Sequence, residues 1–357
     1  MGLEAWLGSA RATLVHAAEL RRQSPPVAFL NQRWRHHGRR SGYLIDEGLG
    51  PNLPRGDRIL PHPLVRLAIS RTQEAQWEEK WILWATLWLA RVKLVHVVDG
   101  DYDRWAYGGR PSWLRTRVTA TFHQPLDRLS EIVPAILPGS LDGIICVSRP
   151  QLPLLEPLVP PGRCVFLPHG IDTDFFRPAA RPAPATATLL CVGAHRRDFE
   201  TLLEASRRIR ARRPDVGIRL VAPRPAADEM RTRGAGILEV LTGISDEELL
   251  EQYRSATVVF LPLEAATANN ALLEGMACGI PVVVTDIPDL YDYVTPDAAV
   301  FCRRADPNAH AEAALALLDD AGRRARMGVA ARAQAEKLSW PAVRARASEF
   351  FGRILDG

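Results

Sequence analysis

Lysine is almost absent from this chain: three lysines stand against 42 arginines in 357 residues. That imbalance points to a GC-rich genome more than to any partner. Cysteine is scarce too, five residues widely spaced and without a Cys-x-x-Cys pair, so neither a disulfide framework nor a zinc site is expected, and the setting reads as reducing and cytoplasmic. No apolar run is long enough to span a bilayer. Glu4 interrupts the start, where a signal peptide needs an unbroken apolar region. No Gly-x-Gly-x-x-Gly string occurs, which removes the dinucleotide fingerprint. The formal net charge is only +4, with 22 Lys/Arg against 17 Asp/Glu in residues 1–178 and 23 against 24 in residues 179–357. Such a balance excludes a dedicated nucleic-acid binder but leaves anionic substrates, or peripheral contact with an acidic membrane surface, open.

What the chain does have is the stretch Val258 to Asp286, VVFLPLEAATANNALLEGMACGIPVVVTD. Val258 to Leu263 and Val282 to Thr285 are short β-branched runs of the kind found in strands buried on both faces. Between them Asn269 or Asn270 caps good helix formers, Ala271 to Ala277, which stop at Gly279 before Pro281. A strand-helix-strand crossover of this kind belongs in a parallel sheet. The first N–H groups of that helix make Ala268 to Ala271 a site for phosphate. Glu274, one turn past Asn270, is placed to accept hydrogen bonds from a ribose diol.

The rest of the chain falls into a pattern of strands and helices suited to two domains. Residues 1–24 read as an amphipathic helix. Residues 25–176 read as a first α/β domain, 177–187 as a Pro/Ala-rich linker, 188–338 as a second α/β domain and 339–357 as a closing helix. In the first domain the loop Gln32 to Tyr43 carries Gly38, Arg39, Arg40 and Gly42, which offer close backbone approach and positive charge to a ligand at a strand's carboxyl end. Trp77, Trp81, Trp84 and Trp88 form a stripe at helical spacing, read first as core, with a wall for a lipid-linked or aromatic acceptor as the alternative. Strand Lys93 to Val98 ends in Asp99-Gly100-Asp101, and strand Thr119 to His123 puts His123 at its tip. In the second domain strand Thr188 to Val192 leads into Gly193-Ala194-His195-Arg196-Arg197-Asp198, a second phosphate cradle ahead of a helix from Phe199. Ser245 or Asp246 caps a helix that includes Glu248.

The string Leu273 to Val283 resembles the second half of the Glu-x7-Glu motif of retaining GT-B glycosyltransferases, in particular glycosyltransferase family 4. Val165 to Pro178 is similar to that family's Pro-Asn-Gly-Val-Asp-x-x-x-Phe segment, with His169 in the asparagine's place. The resemblance implies a GT-B fold, two Rossmann-like doubly wound α/β domains facing each other across a cleft. It implies transfer of a sugar from a nucleoside-diphosphate donor to an acceptor hydroxyl with retention and without a metal or other cofactor. The donor would be of the UDP- or GDP-sugar kind, the base itself left open. By the same resemblance Glu274 holds the ribose, His123 meets the donor sugar, Arg196 and Arg197 hold the diphosphate, and Gly243 and Ile244 back the nucleobase. Gly193, Ala268, Asn269, Asn270 and Ala271 complete the donor site, and the Gly38 to Gly42 loop lies near phosphate and acceptor. At the motif's first glutamate the chain has Ala266, and the nearest acid is Glu264. The acceptor stays open among glycans, lipid-linked sugars and secondary metabolites. A sugar-nucleotide epimerase and a non-catalytic donor-binding subunit are the competing readings.

Overall fold

The computed structural model describes residues 14–15, 17–22, 27–31, 43–51, 53, 73–179 and 186–357. Gly38, Arg39, Arg40 and Gly42 lie outside the described residues. The chain divides into two compact units. One contains Ile45–Leu167 and Arg344–Gly357; the other contains Pro168–Val343 together with Tyr43 and Leu44. Ile171 and Phe176, which the sequence assigned to the end of the first domain, are buried in the core of the second.

In the first unit five strands pair in parallel, in chain order: β1 (Val27–Leu30), β2 (Leu94–Val97), β3 (Arg117–Phe122), β4 (Gly143–Cys146) and β5 (Cys164–Phe166). Alternation along the strands separates two faces. Ala28, Leu30, Val95, Val97, Val118 and Ala120 join Trp84 and Leu87 of helix α1 (Gln73–Ala90) in one core cluster. Phe29 and His96 point the other way, and both pack against Phe351. Buried His96 bridges Thr119 Oγ1 at 2.9 Å and Thr121 Oγ1 at 2.8 Å, and burial pushes its pKa down to about 3. It is therefore a neutral clamp between β2 and β3. The tryptophan stripe is split: Trp84 is buried, whereas Trp81 and Trp88 are exposed. All three lie within about 60° of one another around the helix, so spacing does not divide them: Trp84 enters the core, while Trp81, edge to face with Trp84 at 5.3 Å, and Trp88 stay at its rim.

In the second unit six parallel strands run in the order β11-β10-β9-β6-β7-β8. Their bounds are β6 (Thr188–Val192), β7 (Gly217–Val221), β8 (Glu239–Leu241), β9 (Val258–Leu261), β10 (Val282–Thr285) and β11 (Ala299–Cys302). Chain order reverses between β6 and β9, which pair through Leu189 with Val258 and Leu190 with Val259. This is the strand order of a doubly wound nucleotide-binding sheet, and ligands of such sheets bind outside the carboxyl ends at the reversal. Helix α8 (Asn270–Ala277) crosses β9; the closeness is set by Gly275, where a Cβ would come within 2.6 Å of Val259 Cγ2. At the far end of α8, Arg332 of α10 (Ala321–Lys337) donates through Nη1 to the carbonyls of Thr173 (3.2 Å), Phe176 (3.0 Å) and Ala277 (2.8 Å). A cation on the last carbonyls of a helix is favourable, since its dipole is negative there.

Helix α11 (Trp340–Asp356) begins in the second unit and continues into the first. Trp340 lies over Gly170, where any Cβ would come within 2.5 Å of the indole. Gly170 is thus required by that contact. Further along, Phe350 and Ile354 leave no room for a side chain at Gly143, where a Cβ would lie 2.9 and 2.7 Å from them.

Candidate active site

The residues singled out in the sequence fall into two groups, one in each unit. In the second unit they gather where the strand order reverses. Gly193 follows β6 with φ +93°, and its N–H donates to the Val221 carbonyl at 2.8 Å. The loop after β6 is then stitched to the loop after β9. Arg197 and Leu263 form an antiparallel bridge, Asp198 N–H donates to Pro262 O at 3.1 Å, and Glu264 N–H donates to Arg196 O at 3.0 Å. Arg196 takes φ +54°, which a non-glycine residue adopts only when its neighbours hold it there. Asp198 caps α5 (Phe199–Arg212) by accepting from Thr201 N–H at 2.9 Å.

The Arg197 guanidinium lies back over the end of β6. Nε and Nη2 donate to Val192 O at 2.9 and 2.6 Å, and Nη1 donates to His195 O at 3.1 Å. Nη2 also lies 3.5 Å from Asn269 Oδ1. The fork expected to span two phosphate oxygens is engaged mainly by carbonyls, so the residue brings charge and a single further N–H. Burial pulls its pKa down from the usual arginine value, opposed by Cys191, Tyr253 and Glu274.

Asn269 is the N-cap of α8, its Oδ1 accepting from Leu272 N–H at 3.1 Å. Hence Asn270 is the first helical residue. Within α8 the side chains from Ala271 to Ala277 are buried. Glu274 is 2% exposed, and Tyr253 of α7 (Asp246–Ser255) donates its phenol to Glu274 Oε2 at 2.7 Å. Burial, and then the Glu274 charge, hold that phenol well above its ordinary pKa. Tyr253 was not singled out in the sequence, since a residue 21 positions from Glu274 reveals itself only through packing. Ala268 and Asn270 are half-buried beside buried Ala266 and Thr267, and Glu264 is exposed. Gly243 takes φ +68° just beyond β8, with Ile244 next to it and Ser245 capping α7 in a reciprocal box with Glu248. These two residues lie two strands from β6, a separation of about 10 Å at the usual strand spacing.

In the first unit His123 follows β3 and is half-buried. Its Nε2 lies 2.9 Å from the Val98 carbonyl, which can only accept, so Nε2 carries the proton. Burial lowers its pKa, and the ring is neutral at pH 7. The backbone is held as well. Asp101, 3% exposed, accepts from His123 N–H at 2.6 Å and from Gln124 N–H at 3.4 Å. Burial pushes the Asp101 pKa up to about 6, against the pull of His123 and those two amides. Buried Gln151 ties the tips of β3 and β4 together, donating to Gln124 O at 2.8 Å and accepting from Val147 and Ser148 N–H. Among the described residues no group of three or more His, Cys, Asp or Glu side chains is arranged to hold a metal ion.

Residues 186–320 match the family model described as Glycosyl transferases group 1. Among curated proteins the chain is 28% identical over 221 residues to D-inositol 3-phosphate glycosyltransferase 2 of Catenulispora acidiphila, covering 55% of this chain and 52% of that protein. It is 26% identical over 199 residues to a GDP-mannose-dependent monoacylated alpha-(1-6)-phosphatidylinositol monomannoside mannosyltransferase of Corynebacterium glutamicum, covering 49% and 52%. The chain thus spans about half the length of these curated relatives. Among solved structures it superposes on sucrose-phosphate synthase from Thermosynechococcus elongatus with a TM-score of 0.69 at 18% identity, over 96% of this chain and 92% of that one. Anabaena HepE, solved with UDP and glucose, gives 0.66 at 12% identity, over 92% and 99%. These likenesses carry the fold: two Rossmann-like units of the GT-B class.

Proposed function

We propose, from a GT-B chain whose second unit carries a group 1 glycosyltransferase domain, that this protein transfers a sugar from a nucleoside-diphosphate donor to an acceptor hydroxyl with retention of configuration and without a metal. The reading rests on one observation above others. Arg197, the Asn269-capped start of α8 and buried Glu274 meet at the strand-order reversal of the second sheet. A carboxylate kept from water by α8 and steadied by Tyr253 suits a ribose diol, while the helix N-terminus beside it suits a diphosphate. Gly243 and Ile244 give the base a backbone to lie against. HepE was solved with UDP, and the Corynebacterium protein's name specifies GDP-mannose. A UDP- or GDP-sugar donor is therefore the class to test.

In the reaction the bond from the anomeric carbon to the diphosphate breaks, and its electron pair leaves on the phosphate oxygen. Positive charge from Arg196 and Arg197, with the first N–H groups of α8, stabilises that oxygen. The acceptor hydroxyl bonds to the same face of the sugar and passes its proton to the leaving group. His123, neutral and protonated at Nε2, is the first unit's candidate for meeting the sugar.

Calorimetry of UDP, GDP and their common sugars, with and without EDTA, tests the donor site. Binding of one nucleotide sugar, unaffected by EDTA and weakened at least tenfold in Glu274→Ala, is expected, since hydrogen bonds to a charge contribute ~1.5–3 kcal/mol each. Binding of none of them overturns the reading. Buried Ala266, where the resemblance places a glutamate, favours a second reading: a donor-binding protein without turnover. Donor binding with no product from any acceptor class would select it.

A further inference from the structure

The amino-terminal edge of the first sheet, opposite the strand ends that carry His123 and Asp101, bears an aromatic and basic patch. Trp81 (52% exposed) and Trp88 (59%) lie two turns apart on α1, and Trp113 (49%) meets Trp88 edge to face at 6.4 Å. Indoles are costly to leave in water, and three at half exposure on one side of a unit form an unusual surface. The cations beside them are placed by the strand pairing. Arg91 and Lys93 lead from α1 into β2, and Arg115 leads into β3, whose Arg117 N–H donates to Lys93 O at 2.8 Å. Among the described residues Arg91, Lys93 and Arg115 are exposed and make no ion pair. The acid at this edge, Asp142, is already shared by Arg110 and Arg117.

We propose that this edge docks on an anionic lipid bilayer, with Trp88 and Trp113 at headgroup depth and Arg91, Lys93 and Arg115 against the acidic headgroups. Indole combines an apolar body with one N–H, the chemistry favoured at a membrane interface. Each arginine or lysine held close to an anionic surface strengthens binding about fivefold. A second copy of the chain is the poorer occupant, because a twofold contact would set this cationic edge against itself. No helix among the described residues is long and apolar enough to cross a membrane; the docking proposed is peripheral.

The test is sedimentation of the whole chain with phosphatidylcholine vesicles, with and without phosphatidylglycerol, at low and high salt. The wild type should pellet with the anionic vesicles alone and be released by salt. Trp88→Ser with Trp113→Ser should bind about tenfold more weakly, and Arg91→Gln with Lys93→Gln and Arg115→Gln about 10²-fold more weakly. The charge variant leaves the indoles in place and keeps the test decisive should the tryptophan variant fail to fold. Absence of wild-type binding to anionic vesicles, or unchanged binding by the charge variant, overturns the proposal. So does a wild type that is dimeric by ultracentrifugation and becomes monomeric in the tryptophan variant with vesicle binding unaltered.

Discussion

Glu274 and Asp101 are both carboxylates almost wholly removed from water, yet their partners differ in kind. Glu274 in the second unit accepts from a side chain, the Tyr253 phenol. Asp101 in the first accepts from two consecutive backbone amides, those of His123 and Gln124. A phenol can turn aside and let a ligand hydroxyl share the carboxylate, whereas amides belong to the chain and can leave only if the loop unfolds. In the function proposed above Glu274 is the ligand group. Asp101 is a strap that fixes where His123 stands.

Substitutions can break that contrast, and the largest effect belongs to the ligand side. Arg197→Ala removes charge from the start of α8 and should lower turnover at saturating donor by about 10²–10³, as loss of one preorganised donor does. Initial rates with the identified donor check it, and an unchanged rate would remove Arg197 from the leaving-group site. The strap has a pH signature. Asp101 binds its proton more tightly in the folded chain (pKa about 6) than at its ordinary value of 3.8, so its stabilising contribution is complete below that lower value and is lost as pH rises through about 6. The stability advantage of wild type over Asp101→Asn in urea unfolding should be smaller at pH 7 than at pH 4 by roughly 2.4 kcal/mol. His123 is present in both proteins and largely cancels; a difference that does not move with pH would refute a titrating strap. Tyr253→Phe removes the hydrogen bond to Glu274 and should cost ~1.5–3 kcal/mol. If Glu274 is a ligand group, added donor should restore part of that loss in a thermal melt; equal loss with and without donor would make the pair purely structural. The smallest effect is expected at Ser245→Ala, which loses the cap of α7 for about 1 kcal/mol and should leave turnover unchanged.

Much of the second unit was legible because each piece announces itself locally. The apolar runs at Val258 and Val282 became β9 and β10, Asn269 became the cap of α8, and the Ser245 to Glu248 box opened α7. Hydrophobic period and capping chemistry act over a few residues, so they can be read in one line of sequence. What could not be read depends on contacts between distant segments. Tyr253 reaches Glu274 from another helix, and Asp101 reaches His123 from 22 positions away. Arg197 shows a third limit: its place in the chain was clear, but that its guanidinium folds onto Val192 O depends on the geometry of the strand end. The tryptophan stripe shows a fourth, since spacing places Trp81, Trp84 and Trp88 on one arc but does not say how far the core extends along it.

Helix α8 is gripped at both ends, by Asn269 on its first turn and by Arg332 on its last carbonyl, and Gly275 seats it against β9 without slack. It behaves as a fixed axle. If the proposed donor site is right, a change of sugar preference is to be sought in the short lead-in from Glu264 to Ala268, which lies outside the Asn269 cap, the Arg332 grip and the Gly275 seat. Glu264 to Ala268 is where variants made to accept a different donor should be sought, while α8 is left as it stands.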